Sequence, residues 1–450
     1  MSPILQGTEL IQFLENNSPE KIKEVLEHVH PADILDALED YEGNPLLILA
    51  RIPNDVLVSI IEEAEEEDKN DLLSLLPHEQ KKEVISEMAS DELADMWEYI
   101  DEDEAELLIS AMEESKAEEL KALLQHDPET AGGIMATEFV SVSDQMSVKQ
   151  ALEYLQKHGD DAESISYLYM LDIEGRVHGV VSLRDIVTSK FDVRLSDLAN
   201  PNVITVPTDM DQEEVAQVFI KYGFSGVPVV DEAHKMVGII TADDVLDIVV
   251  DESTEDIERM SALAHGEREY LESGVLNLAK RRIFWLLFLM ISATFTGIII
   301  EKYEVALSST IILAAFIPVL MDTGGNAGSQ SATLVIRGMA LGEISMKDFF
   351  KVLYIELRVS LLVGGVLAGV NWLRIGLTSM HEDKWLLGFT VSAAMFVTVM
   401  IANLVGCVLP LLARRFKMDP AIMASPVITT IVDALALLVY FGIATSLYIK

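Results

Sequence analysis

The sequence predicts a multidomain fold: an all-α superhelical N-terminal domain, an α/β tandem pair, a connecting helix, and an all-α membrane domain of five helices. Three observations predict it. Short amphipathic segments recur through the first part of the chain, an internal repeat follows them, and long apolar segments occupy the last part. We place the domains at 1–131, 132–250, 251–280 and 281–450.

Charge and hydrophobicity are divided between the two halves of the 450-residue chain. The formal net charge is −42, although 50% of the residues are hydrophobic. The part from Lys280 onward contains 14 Lys and Arg residues and 10 Asp and Glu residues, a net charge of +4. The first 279 residues therefore contain 18 Lys and Arg residues and 64 Asp and Glu residues, a net charge of −46. Such an acidic region attracts divalent cations and argues against nucleic acid, whose binding depends on Lys and Arg.

The first domain is predicted to be helical throughout. The segments "HPADILDAL", "IPNDVLVSI" and "LPHEQKKEVI" each place a proline where a helix would begin, a position at which its missing N–H costs no hydrogen bond. Pro31, Pro53 and Pro77 are separated by 22 and 24 residues. This spacing indicates stacked helical hairpins, as in a small solenoid.

An internal duplication defines the second domain. "MLDIEGRVHGVVSLRDIV" (170–187) matches "VVDEAHKMVGIITADDVL" (229–246) at an offset of 59 residues. Each copy predicts two strands joined by a turn, then a helix that begins at a Ser/Thr-x-x-Asp capping pattern. A further strand and helix precede each copy. This order of elements resembles a tandem CBS-domain pair.

Five apolar segments, preceded by a polar connecting helix, are long enough to span a bilayer. Pro318 and the glycine-rich "DTGGNAGSQ" lie in the second, so we expect that span to be broken there. Basic clusters flank the spans on one side, which predicts a multi-pass protein of the plasma membrane with a cytoplasmic N-terminus and an external C-terminus. The predicted spans are 283–300, 305–336, 349–373, 385–413 and 420–448.

The last span contains the most informative polar residue. Asp433 lies in the middle of an apolar segment, where a carboxylate costs roughly 2.5–3.5 kcal/mol and commonly serves an ion pathway. Ser425 and Thr429 precede it at intervals of four residues, so the three side chains share one helix face. Asp419 and Pro420 mark the start of this helix, where we expect Asp419 to be a cap.

The glycine-rich segment of the second span supplies further candidates for the pathway. Unwound backbone carbonyls at Gly325 and Gly328, with the side-chain amide of Asn326, could coordinate a cation. Close packing of helices through small residues is the alternative explanation for the glycines. The candidate ligands are all oxygen atoms, and a wide ring of such donors with few charges suits hydrated Mg²⁺, which loses its water reluctantly.

Acidic residues also cluster in three cytoplasmic segments that lack compensating Lys or Arg. Solvated helix faces would explain any one of them. If the segments packed together, however, their carboxylates would repel one another unless a divalent cation lay between them. The residues are Asp91, Asp95, Asp211, Glu213, Asp244, Asp247, Asp251, Glu252, Glu255 and Asp256.

Three motifs make the sequence resemble a known family. "TGGNAGSQSATLVIRG", "ANLVGCVLPLLARR" and "DPAIMASPVITTIVDALALLVYF", behind the CBS pair and the acidic helical domain, closely resemble MgtE-type magnesium channels over nearly the whole chain. The resemblance implies a homodimer in membrane lipid, with one pore and five spans per subunit. It implies that cytoplasmic Mg²⁺ closes the pore through the soluble domains and a plug helix around 248–270.

Residue roles follow from the resemblance by position. Asp433 matches the pore acid, and Asn326, Gly325 and Gly328 match the pore lining. The acidic residues given above, apart from Asp251, match the magnesium sensor. The family's CBS cleft can also bind ATP, and Tyr167, Arg184, Asp185 and Phe224 fall there. Two positions depart from the family pattern: Gly223 stands where we expect an acidic sensor residue, and Ser425 stands where we expect Asn at the pore mouth.

Two other functional classes remain open at this stage. Asp433 could take a proton in a secondary transporter of divalent cations that is coupled to protons. Alternatively, the CBS pair could be the active part of a nucleotide sensor that is anchored in the membrane, although this leaves the polar face of the last span without a role. An enzyme is not expected, because the sequence shows no nucleophile–base pattern, Walker loop or zinc-ligand spacing.

Overall fold

The computed structural model describes residues 7–447 except 27, 40, 42, 65, 101–104, 106–108, 110, 111, 113, 160, 161, 265, 267–269, 271 and 272. For residues 39, 66, 67, 98, 99, 114, 115, 306, 308, 309 and 425 it describes the backbone alone. The predicted pore side chain of Ser425 therefore lies outside the described part. The chain divides into two compact units, Met1–Val249 and Val250–Lys450.

Helices form the first part of the first unit, as predicted. Pro31 begins one helix, and Pro53 and Pro77 each stand immediately before another, so the prolines mark helix starts. Helix α1 packs against α3, α3 against α5, and α5 against α7, around a core that includes Leu10 and Ile60. The helices are α1 (Gly7–Asn16), α2 (Pro19–Leu26), α3 (Pro31–Glu39), α4 (Leu46–Leu49), α5 (Asn54–Glu62), α6 (Glu66–Leu75), α7 (His78–Glu87), α8 (Ser90–Asp95) and α9 (Glu114–Leu123).

The duplicated region forms two three-stranded sheets of the same topology. In each sheet the first pair of strands is parallel and the second is antiparallel, in the orders β1-β2-β3 and β4-β5-β6. The predicted CBS pair is confirmed. Its elements are β1 (Phe139–Val142), α10 (Val148–His158), β2 (Ser164–Leu171), β3 (Val177–Ser182), α11 (Leu183–Thr188), α12 (Leu195–Leu198), β4 (Val206–Pro207), α13 (Gln212–Tyr222), β5 (Gly226–Val230), β6 (Met236–Thr241) and α14 (Ala242–Met260).

The two capping patterns predicted from the repeat are present at equivalent helix starts. The Ser182 hydroxyl donates to Asp185 Oδ2 at 2.6 Å and accepts from the Asp185 backbone N–H at 3.1 Å. The Thr241 hydroxyl donates to Asp244 Oδ2 at 2.5 Å, and this oxygen also accepts from the Thr241 backbone N–H at 3.2 Å. Each copy thus fixes its aspartate where a strand turns into a helix.

Helix α14 ends earlier than the connecting helix predicted over 251–280. Ala262 has a φ of +54°, in the left-handed region. The Leu263 N–H donates to the Glu258 carbonyl at 2.9 Å, and the Ala262 N–H donates to the Arg259 carbonyl at 3.0 Å. These two bonds form a Schellman motif, which terminates the helix after Met260 and was not visible in the polar composition of the segment.

In the described part of the second unit, five helices are long and apolar enough to cross a membrane, as predicted. The first, third and fourth predicted spans lie within the observed helices, whereas the second helix begins after the predicted start at 305 and the last begins after the predicted start at 420. The helices are α15 (Val275–Lys302), α17 (Ile317–Ala340, preceded by a 3₁₀ turn at Ile311–Phe316), α18 (Phe349–Thr378), α19 (Lys384–Arg415) and α20 (Ser425–Leu447, preceded by a 3₁₀ turn at Pro420–Met423), with a short helix α16 (Glu304–Ser309) between the first two.

The expected break of the second span at its glycines is wrong. Pro318 lies in the first turn of α17, where proline is tolerated, and the helix continues without interruption through "DTGGNAGSQ". Helix α17 packs against α19 and α20. The glycines make this contact possible, so tertiary packing compensates for their low helix propensity.

Candidate functional sites

The glycine face of α17 is a packing surface within the subunit. A Cβ atom built on Gly328 would lie 2.8 Å from Ile428 Cγ2 and 3.1 Å from the Ala402 carbonyl oxygen. One built on Gly325 would lie 3.0 Å from Thr429 Cγ2. Both predicted pore glycines are therefore buried against neighbouring helices, and their carbonyls belong to a continuous helix rather than to an unwound segment.

The opposite face of α17 is polar and exposed within the subunit. Asp322, Asn326 and Gln330 follow one another at intervals of four residues, and all three are exposed. The predicted pore residue Asn326 therefore shares a polar stripe with Asp322 and Gln330, which were not predicted to line the pore. The spacing test that grouped Thr429 with Asp433 would have found Asp322 as well.

Asp433 lies on α20, which packs against α17, and it is half-buried. Its carboxylate interacts electrostatically with that of Asp322. Thr429, one turn earlier, is half-buried and donates from its hydroxyl to the Pro426 carbonyl at 3.0 Å. Two acidic side chains on packed helices thus interact electrostatically within the membrane domain, and a cation near them would stabilise both charges.

At the predicted sensor, the start of α8 contacts the loop before β1. The Ser90 hydroxyl donates to Glu138 Oε2 at 2.6 Å and lies 2.9 Å from the Thr137 hydroxyl. These bonds fix the next residue, Asp91, in a buried position that is 7% exposed. The helical domain and the CBS pair therefore meet at one of the predicted sensor acids.

Three carboxyl groups come together at this contact. Burial, and then the negative charges of Asp244, Glu163 and Glu92, hold the pKa of Asp91 well above its usual value. Burial also raises the pKa of Asp244, against the hydrogen bonds from Thr241. Burial is the first cause of both shifts, and the negative charges around the two groups add to it.

Glu163 is a sensor candidate that the sequence did not reveal. Burial, followed by the charges of Asp244 and Asp243, raises its pKa to about 7. It stands just before β2, and its backbone N–H donates to the Glu138 carbonyl at 2.8 Å. Because its proximity to Asp91 comes only from the packing of the helical domain on the CBS pair, no local pattern could have identified it.

The remaining predicted sensor acids of the first unit lie in other settings. Asp211 caps α13, since its Oδ1 accepts from the Glu213 backbone N–H at 2.9 Å. Asp95 ends α8, and Asp247 is exposed on α14, where its charge contributes to the raised pKa of Asp244. The structure thus brings Asp91 and Asp244 together but not the whole predicted set.

In the second unit, the end of α14 contacts the starts of two spans through arginines. Arg259 forms ion pairs with Glu255 on its own helix and with Asp419. Asp419 Oδ1 also accepts from the Ala421 N–H at 2.7 Å, so its predicted capping role is confirmed. Arg281 at the start of α15 pairs with Glu258.

Asp256 belongs to the same charged cluster. Burial, and then the charge of Asp419, raises the pKa of Asp256 to about 6, although the nearby guanidinium of Arg259 lowers it. The other two predicted acids of this helix end are placed differently: Asp251 is exposed and Glu252 is half-buried. Arginine side chains therefore supply the positive charge here, whereas at the Asp91 contact Lys69 pairs with the neighbouring Glu92.

Among the residues that the structure describes, no three Asp, Glu, His or Cys side chains are arranged to enclose a metal ion. The donor chemistry nevertheless fits a hard divalent cation at the Asp91 contact. Asp91, Asp244 and Glu163 offer carboxylate oxygens, the ligands that hard divalent cations prefer, and their negative charges interact with one another. A cation bound there would be held by few protein ligands and by water.

The CBS pair encloses a cavity of about 740 Å³. Two of the predicted nucleotide residues, Tyr167 and Arg184, line it, together with Ser166, Ser182, Leu183, Val187, Gly223 and Ser225. Asp185 accepts a hydrogen bond from Ser182, and Phe224 stacks on Tyr222 at 5.4 Å between ring centroids. An aromatic ring, a guanidinium and several hydroxyls are a suitable lining for a nucleotide.

Comparison with protein families gives matches along most of the chain. The profile of the MgtE divalent cation transporter family matches residues 317–443, that of the MgtE intracellular N domain matches 29–129, and that of the CBS domain matches 131–191 and 195–251.

Individual relatives match over nearly their full length. The chain is 35% identical over 442 residues to the magnesium transporter MgtE of Thermus thermophilus, covering 97% of each protein. It is 32% identical over 439 residues to the magnesium transporter MgtE of Bacillus subtilis, covering 97% of this chain and 96% of that one. Among solved structures, the soluble part of a magnesium transporter aligns with a TM-score of 0.52 at 31% identity, covering 54% of this chain and 96% of that chain.

Proposed function

We propose that this chain, which belongs to the MgtE family of magnesium transporters, forms a Mg²⁺-selective uptake channel that cytoplasmic Mg²⁺ closes. The observation that carries the proposal is the pair of electrostatically interacting carboxylates, Asp433 and Asp322, on packed helices of the membrane domain. The exposed polar stripe of α17 continues from this pair through Asn326 and Gln330.

In our proposal, two copies of the chain together form the Mg²⁺ pathway. A subunit that exposes Asp322, Asn326 and Gln330 on a membrane helix leaves polar groups without a partner in lipid, which is unfavourable. A homodimer that places two such stripes around a water-filled path removes this cost. Mg²⁺ would pass there with much of its hydration shell, because it dehydrates reluctantly.

Closure depends on the carboxylates between the helical domain and the CBS pair. Without a counter-charge, ionised Asp91, Asp244 and Glu163 repel one another and disfavour the docked arrangement of these domains. A bound divalent cation would supply the missing positive charge at this contact. Because such binding favours the docked arrangement alone, rising cytoplasmic Mg²⁺ would shift the population toward it.

Helix α14 is the element that would link the sensor to the membrane domain. It carries Asp244 near its start, and near its end it carries Arg259, which pairs with Asp419 before α20. Asp433 lies on α20. A shift of this helix would therefore act on the span that carries the proposed pore acid.

The cavity of the CBS pair supports a second ligand, which we propose is ATP acting as a modulator of gating. Tyr167 would stack on the base, and Arg184 would pair with a phosphate group. This role is compatible with a channel and does not require nucleotide hydrolysis.

The test of the pathway is a neutral substitution at the pore acid. Full-length protein in liposomes that contain a fluorescent Mg²⁺ indicator is expected to lose Mg²⁺ flux in Asp433→Asn, with thermal unfolding close to that of the wild type. The matched control is Asp383→Asn, an exposed aspartate before α19, which should retain flux. Flux at the wild-type level in Asp433→Asn would refute the assignment.

The same liposomes distinguish a channel from the proton-coupled alternative. A channel is expected to conduct Mg²⁺ down its electrochemical gradient at equal pH on both sides. Uptake that requires a pH gradient, or that is accompanied by stoichiometric movement of protons, would instead support a secondary transporter.

A further inference from the structure

A buried lysine lies beside the acidic contact between the helical domain and the CBS pair. Lys69 of α6 is only 5% exposed, and a lysine is almost never so deeply buried unless its charge is paired. Its ammonium group forms an ion pair with the carboxylate of Glu92 on α8. Neither the proposed pathway nor the nucleotide cavity uses this lysine, and the predicted sensor set contains acids alone.

Glu92 connects the charge of Lys69 with the sensor acids. It follows Asp91 directly on α8, and its backbone N–H donates to Asp91 Oδ1 at 2.9 Å. The carboxylate of Glu92 interacts electrostatically with those of Asp91 and Asp244. A single carboxylate therefore separates Lys69 from the two acids that the structure brings together, so its positive charge acts on any cation that approaches them.

The charges around Glu92 act in opposite directions. Burial raises the pKa of Glu92, whereas the positive charge of Lys69 and its hydrogen bond lower it. The negative charges of Glu62 and Asp244 raise the pKa further. Lys69 therefore compensates part of the negative charge of this contact with a cation that belongs to the chain itself.

A second lysine near the contact is bonded differently. Lys116 of α9 donates from Nζ to the backbone carbonyl oxygens of Ser86, at 3.0 Å, and of Met88. These bonds hold the chain that leads into α8. Because Lys69 instead pairs with a carboxylate, it occupies the kind of ligand that a divalent cation needs.

We propose that Lys69 is a cation built into the sensor, which competes with Mg²⁺ for the acidic contact and so sets the Mg²⁺ concentration at which the sensor responds. This inference rests on the proposed function, because it requires Mg²⁺ to bind near Asp91 and Asp244. The ammonium group occupies the Glu92 carboxylate, and its positive charge repels an approaching dication. Both effects weaken Mg²⁺ binding, so the sensor responds at a higher concentration than its carboxylates alone would give.

Thermal unfolding of the full-length protein in lipid nanodiscs, titrated with MgCl₂, tests this role. A cation that binds the folded chain raises the melting temperature, and the concentration at which the rise begins reports the apparent affinity. Lys69→Gln should be less stable than the wild type without Mg²⁺, because it leaves the buried Glu92 carboxylate without its partner. Its rise should begin at a Mg²⁺ concentration at least about threefold lower, because one repelling charge has gone. The deficit in melting temperature should therefore shrink as Mg²⁺ increases.

Two further variants control for a general effect of charge and for loss of folding. Lys82 is an exposed lysine on α7, so Lys82→Gln makes the same change of charge and should respond to Mg²⁺ like the wild type. The double variant Lys69→Gln/Glu92→Gln removes both members of the buried pair, so the net charge of the contact is unchanged and its response should begin within about twofold of the wild-type concentration. If Lys69 had no influence on Mg²⁺, the loss of Glu92 alone would shift this response to higher concentration, which would overturn the proposal.

The titration also separates this inference from the proposed function. If Mg²⁺ stabilised the wild type but the deficit of Lys69→Gln stayed constant at every Mg²⁺ concentration, Lys69 would serve folding alone and the inference would fail while the sensor stood. If Mg²⁺ left the melting temperature of the wild type unchanged, the proposed sensor and the role of Lys69 would both fail.

Discussion

Replacement of Glu163 by glutamine tests the sensor at the residue with the clearest electrostatic signature. Burial and the charges of Asp244 and Asp243 raise the pKa of Glu163 from 4.5 to about 7. This difference corresponds to about 3 kcal/mol for a fully buried group. Glu163 is only half-buried, so solvent screening reduces this penalty to about 1–2 kcal/mol.

The sign of the pH dependence follows from the direction of the shift. The folded chain binds the proton of Glu163 more tightly than the unfolded chain, so stability falls as pH rises from about 4.5 to about 7. Below this window the penalty is absent, and above it the full penalty applies. Burial raises the pKa values of Asp91 and Asp244 as well, so their contributions have the same sign.

The assay is thermal unfolding of the full-length protein in lipid nanodiscs without divalent cations. The wild type should be more stable at pH 5.5 than at pH 8. Glu163→Gln should be more stable than the wild type at pH 8 by about 1–2 kcal/mol, and its difference between the two pH values should be smaller. It should also gain less stability from added Mg²⁺, because one of the repelling charges is already gone.

A matched variant separates this effect from a general effect of charge. Glu232 is an exposed glutamate between β5 and β6, and Glu232→Gln should behave like the wild type in all of these conditions. If Glu163→Gln retained the full pH dependence of the wild type, the electrostatic account of the Asp91 contact would be refuted.

Three further predictions concern packing, the connecting helix and the nucleotide cavity. Gly406→Ala should destabilise the membrane domain by about 1–3 kcal/mol in thermal unfolding, because its Cβ would lie 2.2 Å from the Gly328 carbonyl oxygen, whereas Gly365→Ala has open space. Arg259→Gln removes the guanidinium that pairs with Glu255 and Asp419, so Mg²⁺ flux in liposomes should become more sensitive to inhibition by cytoplasmic Mg²⁺. Unchanged sensitivity would count against a role of Arg259 in gating. Arg184→Ala should weaken ATP binding in calorimetry at least tenfold, the effect of about 1.4 kcal/mol from one lost charged contact.

Much of the architecture could be predicted because its signals are local or repeated. The five spans follow from length and apolar composition, and the CBS pair follows from a repeat whose Ser182 and Thr241 begin helices as the pattern requires. The early end of α14 was not predicted. It depends on the left-handed backbone of Ala262, and alanine rarely adopts that conformation.

The errors in the site arose where tertiary packing decides the outcome. Glycines predict an interruption when a helix is considered alone, but Gly325 and Gly328 instead allow α17 to approach its neighbours. Glu163 is distant from Asp91 in sequence, and only the docking of two domains makes the two carboxylates neighbours. Asp322 was different, since its spacing from Asn326 was available in the sequence all along.

The two capped helix starts of the CBS pair place one structural motif in two different surroundings, which in our proposal serve two functions. Asp185 is exposed and bonded to Ser182, which lines the nucleotide cavity, while its counterpart Asp244 is half-buried beside Asp91. The backbone turn is the same in both copies, and only the surroundings differ. In our proposal, a gene duplication produced two copies of the motif, of which the copy with Asp185 serves ATP and the copy with Asp244 serves Mg²⁺. Exchange of residues between the copies would then transfer ligand preference without altering the scaffold.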